Sequence, residues 1–239
     1  MDGETTSPRG MKTKEILAFQ SSIAMTWPVI QNEVRNLGYK FMAAEAAWIL
    51  SGDNRVSTIK AFSKDIEKFS DDSVTFFGAY GPRVIDQLAY IAKTLANDQD
   101  TRQAILTIWR QNPGQTKDVP CTISVQWFIR EGRIHCIDTM RSSDLWLGWP
   151  YDICNFTMLT GMIMLRLRNV YNIKLKLGDL TLQAGSQHLY EKNWEAAKEA
   201  ILDKSKEGPY FDPYKFEDED EFVSYLWRIA RNGNGMLDI

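Results

Sequence analysis

Between Pro120 and Phe156 the apolar and polar positions follow two periods in turn. Ile123, Val125, Trp127 and Ile129 recur at period two, alternating with Thr122, Ser124 and Gln126, which predicts a strand with one apolar face. Glu131-Gly132 predicts a hairpin turn, and Arg133 to Met140 returns as a second strand ending in Arg141-Ser142-Ser143-Asp144. After the Gly148-Trp149-Pro150 break, a long apolar helix begins with Asp152 in its first turn and runs to Arg168. Upstream, Lys14 to Ala24 reads as a first strand behind a polar, disordered tail of about eight residues. Tyr39 to Leu50 reads as a helix, residues 55 to 75 keep helical spacing, and Val84 to Ala96 is an amphipathic helix. A strand is expected from Asp100-Thr101-Arg102 through Trp109. Downstream, Lys174 to Gln183 alternates as a strand, His188 to Tyr190 precedes a helix, and Trp194 to Leu202 and Phe222 to Ala230 are helical.

The 239 residues suffice for one domain, 1–239, with a sizeable core. A net charge of −3 gives no electrostatic case for nucleic acid or an anionic membrane, so any anion binding must be local. Cys121, Cys136 and Cys154 are too few and too scattered for a disulfide framework or a zinc site, so no metal is expected and a reducing cytoplasm fits. The N-terminus lacks an apolar signal core, and the most apolar run, Ile153 to Leu165, is too short to span a bilayer and carries polar residues. A soluble protein with no membrane partner follows.

Chemistry concentrates at the strand ends. A lone cysteine is usually a buried small hydrophobe. As a nucleophile Cys121 needs its thiolate and a nearby positive charge, which Arg141 on the neighbouring strand can supply while also gripping phosphate. Glu45 lies in a largely apolar helix, where a carboxylate needs a partner such as Lys40 or a raised pKa suited to proton transfer. By themselves, Asp152 is an ordinary helix-start residue, Tyr80 a turn residue, His188 a structural histidine, and Arg9 and Arg102 solvated charges.

Pro120-Cys121, Gln126, Arg141-Ser142-x-Asp144 and Leu147-Gly148-x-Pro150-Tyr151-Asp152-Ile153, followed by Gly185-Ser186-Gln187-His188-Leu189-Tyr190, resemble the thymidylate synthase family in order and separation. Glu45-Ala46-Ala47-Trp48-Ile49-Leu50-Ser51-Gly52-Asp53-Asn54 resembles its Glu-x-x-Trp-Phe-x-x-Gly-Asp-Thr-Asn, and Phe76 to Arg83 resembles its Gly-Pro-x-Tyr-Gly loop. The resemblance spans roughly residues 40 to 192. It implies an α/β (α+β) fold, a mixed sheet with flanking helices whose twin packs back to back in a homodimer. It also implies Cys121 as the nucleophile at carbon 6 of a pyrimidine nucleotide monophosphate, with Glu45, Tyr80 and Asp152 at the base. Arg141, Ser142, Arg102, Gln126 and Arg9 fall on its nucleotide-binding positions, and His188 and Tyr190 on its sugar-hydroxyl contacts. Asp144 and Gly148 correspond to positions near the co-substrate, 5,10-methylenetetrahydrofolate, and the C-terminal Met236 to Ile239 to a tail that closes over folate.

The departures carry the substrate reading. Thymidylate synthases carry Asn where this chain has Asp152, and that amide complements N3–H and O4 of uracil. A carboxylate accepts from the amino group of cytosine and shares a proton with its N3. Thr122 stands in place of His and Met140 in place of Gln, both shared with the hydroxymethylase branch. No tryptophan lies between Trp48 and Trp109, where the synthases place one for the final reductive step, and Gln103 replaces one of two arginines. The expected activity is deoxycytidylate 5-hydroxymethylation, as used by viruses that modify their DNA precursors. The alternatives are a deoxycytidylate methylase, a cytidylate hydroxymethylase, a uridylate-using synthase, or a nucleotide- or RNA-binding homologue without catalysis.

Overall fold

The computed structural model describes residues 3–203 and 208–233, and the expected folate-closing tail at Met236 to Ile239 lies outside them. Six strands, β1 (Glu4–Thr6), β2 (Thr13–Ala24), β3 (Ile105–Thr107), β4 (Thr122–Arg130), β5 (Arg133–Asp144) and β6 (Lys176–Tyr190), form one sheet in the order β1-β2-β6-β5-β4-β3. Only β5 and β6 run parallel, so the sheet is mixed, as expected. The β4–β5 hairpin turns on Glu131 and Gly132, both left-handed at φ 52° and 69°, the twist a tight two-residue turn requires.

A parallel pair needs a crossover. It is α4 (Trp149–Tyr171), buried without interruption from Ile153 to Leu165. That explains the most apolar run in the chain: it is the central core helix. Among the described residues no helix is long and apolar enough to cross a membrane. Around it pack α1 (Tyr39–Leu50), α3 (Tyr80–Asn97) and α6 (Glu219–Asn232). The acidic run opens α6, where the Asp218 side chain accepts from the Glu221 N–H and the first turn favours negative charge. A short α2 (Val56–Ile59) and α5 (Trp194–Leu202) complete the helices of the described residues.

Several expectations shift. Glu4–Thr6 was expected in a loose tail but pairs with β2. Residues 55–75 form α2, a single turn at Ile66–Phe69 and a lone antiparallel bridge between Arg55 and Thr75, with Asp72 after the turn accepting from the Val74 and Thr75 N–H groups. β3 is three residues rather than a strand to Trp109. Tyr80 opens α3 instead of sitting in a loop. β5 continues to Asp144, and β6 carries His188 and Tyr190 within the strand rather than before a helix, because β2 and β5 flank it along that whole length.

The largest change is a phase slip in β4. Thr122 pairs with Met140 but Ser124 pairs with Thr139, so Ile123 is an extra, bulged residue. Ile123 therefore turns outward, 36 % exposed, while Val125, Trp127 and Ile129 stay inside. Thr122 turns inward and is fully buried. The bulge is where β4 leaves the sheet pattern and delivers Cys121.

Candidate active site

Cys121 immediately precedes β4 and borders a cavity of about 230 Å³ between the sheet end and the helices. Glu45 and Trp48 reach it from α1, Tyr80 from the start of α3, and Asp152 and Asn155 from the first turns of α4. The expected nucleophile and the three expected base-side groups thus converge.

Arg141, on the neighbouring strand, donates from Nε to the Pro120 carbonyl (2.9 Å), from Nη2 to the Val119 carbonyl (3.0 Å) and from Nη1 to Ser142 Oγ (3.0 Å). Its Nη2 also lies 3.7 Å from Cys121 Sγ, and Ser142 Oγ lies 3.9 Å from the same sulfur. Of five donors, one remains uncommitted. Arg141 therefore first braces the backbone that carries the thiol, and meets an anion with charge more than with a free fork. Burial pushes the Cys121 thiol up, and the Arg141 charge pulls against it without winning. In the ligand-free protein Cys121 rests as a thiol.

On the base side, Asn155 Nδ2 donates to Glu45 Oε2 at 2.8 Å. Burial raises the Glu45 pKa and this bond opposes the rise. The alternative partner, Lys40, is not the one Glu45 finds. The Asp152 carboxyl is pushed well above the ordinary carboxylate range, by desolvation first and then by Glu45 and Asp144. Among the described residues neither Asp152 oxygen has a hydrogen-bond partner, and both stay available to a ligand. Gly148 leaves that carboxyl room, since a Cβ there would lie 3.2 Å from Asp152 Oδ2.

Tyr80 accepts the Thr122 N–H at 3.1 Å. Burial pushes its phenol further up from the ordinary tyrosine value, so its O–H can donate into the cavity. The preceding turn is held by Asp118, which accepts the Gly78 N–H at 2.6 Å. Glycine is required there, because a Cβ would come within 2.4 Å of the Asp118 carbonyl.

The remaining predicted residues stand apart from the cavity. Asp144 Oδ1 accepts from the Trp146 and Leu147 N–H groups, closing the turn after β5. Gln126 donates to the Arg102 carbonyl at 2.8 Å on the β3 edge, where the Arg102 side chain is exposed. His188 and Tyr190 face each other edge-on at 5.2 Å on β6. Arg9 is exposed in a left-handed turn between β1 and β2. Sequence reasoning missed Asn155 as a partner of Glu45. Its signal was present: it lies three residues after Asp152 on a helix, hence on the same face. It also missed the wall opposite, where Trp48 and Phe76 meet edge to face at 5.6 Å beside Ile66 and Phe69.

A match to the thymidylate synthase family covers residues 2–224. The chain belongs to the thymidylate synthase family. It is also similar to a deoxyuridylate hydroxymethyltransferase of Bacillus phage SP01, at 30% identity over 184 residues, which is 66% of this chain and 47% of that protein. The chain thus spans about half the length of that curated relative. Membership accounts for the mixed sheet and for the order of the Cys121, Arg141 and Asp152 segments along the chain.

Proposed function

We propose that the protein is a one-carbon transferase that hydroxymethylates carbon 5 of deoxycytidylate. The balance is deoxycytidylate plus 5,10-methylenetetrahydrofolate plus water, giving 5-hydroxymethyl-deoxycytidylate plus tetrahydrofolate. The observation that carries this reading is Asp152, a half-buried carboxyl where the synthases have Asn, lining the same cavity as the Cys121 thiol with neither oxygen hydrogen-bonded by the described residues.

The Cys121 thiol gives its proton to water in the cavity as its sulfur adds to carbon 6 of the base. Asp152 delivers its proton to N3 as ring electrons move onto that side, and its other oxygen accepts from the amino group. Carbon 5 becomes nucleophilic. Bound methylenetetrahydrofolate supplies a one-carbon unit at the formaldehyde level. The Trp48, Ile66, Phe69 and Phe76 wall suits a flat heteroaromatic ring, and the buried, unpartnered Trp48 Nε1 offers it a donor. The Glu45–Asn155 pair and the Tyr80 phenol orient water and hold protons at the base. Arg141 faces the phosphate, and Arg102 and Gln126, outside the cavity, meet ligand only from a second copy. Ile16, Leu17, Ile105 and Ile123, all exposed on β2, β3 and β4, support a homodimer packed sheet to sheet.

A second reading has its own support. A neutral acid can turn its O–H towards O4 and accept N3–H, which complements uracil, and the phage relative is named for deoxyuridylate. The product mass from each nucleotide with methylenetetrahydrofolate decides. A gain of CH2O on deoxycytidylate supports the first reading, and the same gain on deoxyuridylate alone replaces it with the second. A gain of CH2 makes the enzyme a methylase, and no gain on either leaves a non-catalytic binder.

A further inference from the structure

One buried carboxyl has no place in the chemistry above. Along β5 the inward positions Ile134, Cys136, Asp138 and Met140 are all buried, and Asp138 is 0 % exposed. Its cross-strand neighbours are Val125 and Leu182, both apolar. Buried carboxyls are as a rule paired or hydrogen-bonded. Among the described residues neither Asp138 oxygen has a hydrogen-bond partner, and neither does the buried Thr122 Oγ1 that the β4 bulge turns towards it.

The groups that face Asp138 are nearly all acids. The Cys136 thiol flanks it on its own strand, the Cys121 thiol and Thr122 lie on the β4 side, and Asp152 lies on α4, itself beside Glu45 and Asp144. The Arg141 guanidinium stands at Cys121. Burial above all, and the neighbouring Asp152 after it, raise the Asp138 pKa well above the ordinary value, and the Thr122 hydroxyl close by opposes the rise. Three buried polar atoms without protein partners, grouped beneath a reacting site, are the usual setting of an ordered water.

We propose that Asp138 is a positioning residue that with the Thr122 hydroxyl holds an ordered water beneath Cys121 and Asp152 and donates through it to the Asp152 carboxylate formed in turnover. This rests on the function proposed above. When Asp152 passes its proton to N3, the carboxylate left behind has only acids around it. The Asp138 O–H donates to the water and the water donates to Asp152. Asp138 keeps its proton throughout, and Asp152 recovers its own from N3 when sulfur leaves carbon 6.

The test compares D138L, D138N and T122V with the parent protein. D138L fills the site with an apolar group and is expected to melt no lower than the parent. Its kcat should nonetheless fall about tenfold, the worth of one hydrogen bond to a charge, with KM for deoxycytidylate within about twofold. T122V, which keeps the threonine shape, should show the same split. D138N, which can still donate, should restore most of the rate lost in D138L. If D138L and T122V turn over like the parent, or if D138N is as impaired as D138L, the proposal is overturned. Should only deoxyuridylate turn over, the cytosine assignment falls and the same kcat comparison made with deoxyuridylate still decides on Asp138. An infrared carbonyl band of a neutral acid at pH 7, kept in D152N and lost in D138N, is expected whatever the substrate, and its absence overturns the proposal.

Discussion

Asp152→Asn tests the site at two levels. Asp152 is half-buried, and desolvation together with Glu45 and Asp144 raises its pKa well above the ordinary value of 3.8. In the unfolded chain it ionises near that ordinary value. At higher pH the unfolded state releases a proton that the native state retains, so the stability Asp152 contributes is full below pH 3.8 and is lost as pH rises towards the raised value. Asparagine does not titrate. The stability difference between D152N and the parent should therefore be constant in acid, then grow by about 1.4 kcal/mol per pH unit until the native acid ionises. At about 2–4 °C per kcal/mol, thermal melts at pH 4, 5 and 6 resolve it. The same change removes the proton for N3. Loss of a general acid costs roughly 10²–10⁴-fold, so kcat for deoxycytidylate should fall by at least 10² while uridylate turnover appears or rises. A stability difference that stays flat from pH 4 to 6 would mean that Asp152 is ionised in the native protein. Deoxycytidylate turnover within about threefold of the parent would mean that it is not the proton donor.

Three further outcomes follow from single contacts. In C121S, a 5-fluoro-deoxycytidylate analogue should still bind but leave no covalent mass on the protein, because a serine hydroxyl is not ionised near pH 7. In R141M, alkylation of Cys121 by iodoacetamide at fixed pH should slow about fivefold, the worth of ~1 kcal/mol from a charge acting through largely aqueous surroundings. An unchanged alkylation rate would show that the guanidinium 3.7 Å from the sulfur does not act on it. In G161A, the added Cβ would come within 2.7 Å of Phe211 Cζ in the core, and urea denaturation should register a loss of about 1–3 kcal/mol despite the helix propensity gained.

The chain alone determined the parts whose physics is local. The Glu131-Gly132 turn needs left-handed backbone that few pairs adopt cheaply, and the period-two runs on either side leave one pairing from Arg130–Arg133 out to Ser124–Thr139. Helix α1 matches its apolar spacing at both ends. The family motifs located Cys121, Glu45, Tyr80 and Asp152, which the fold brings to one cavity. Three features were decided only by tertiary structure. The Ile123 bulge slips the phase of β4, and nothing in an alternating pattern marks where an extra residue will be expelled. β6 runs through His188 and Tyr190 because β2 and β5 supply partners along its whole length, which its own residues do not reveal. Asp138 and Asn155 acquire their meaning from what lies against them. An aspartate in a strand is ordinarily solvated, and only the α4 crossover, laid over the inner face of the sheet, shuts out bulk solvent and leaves Asp138 near Asp152.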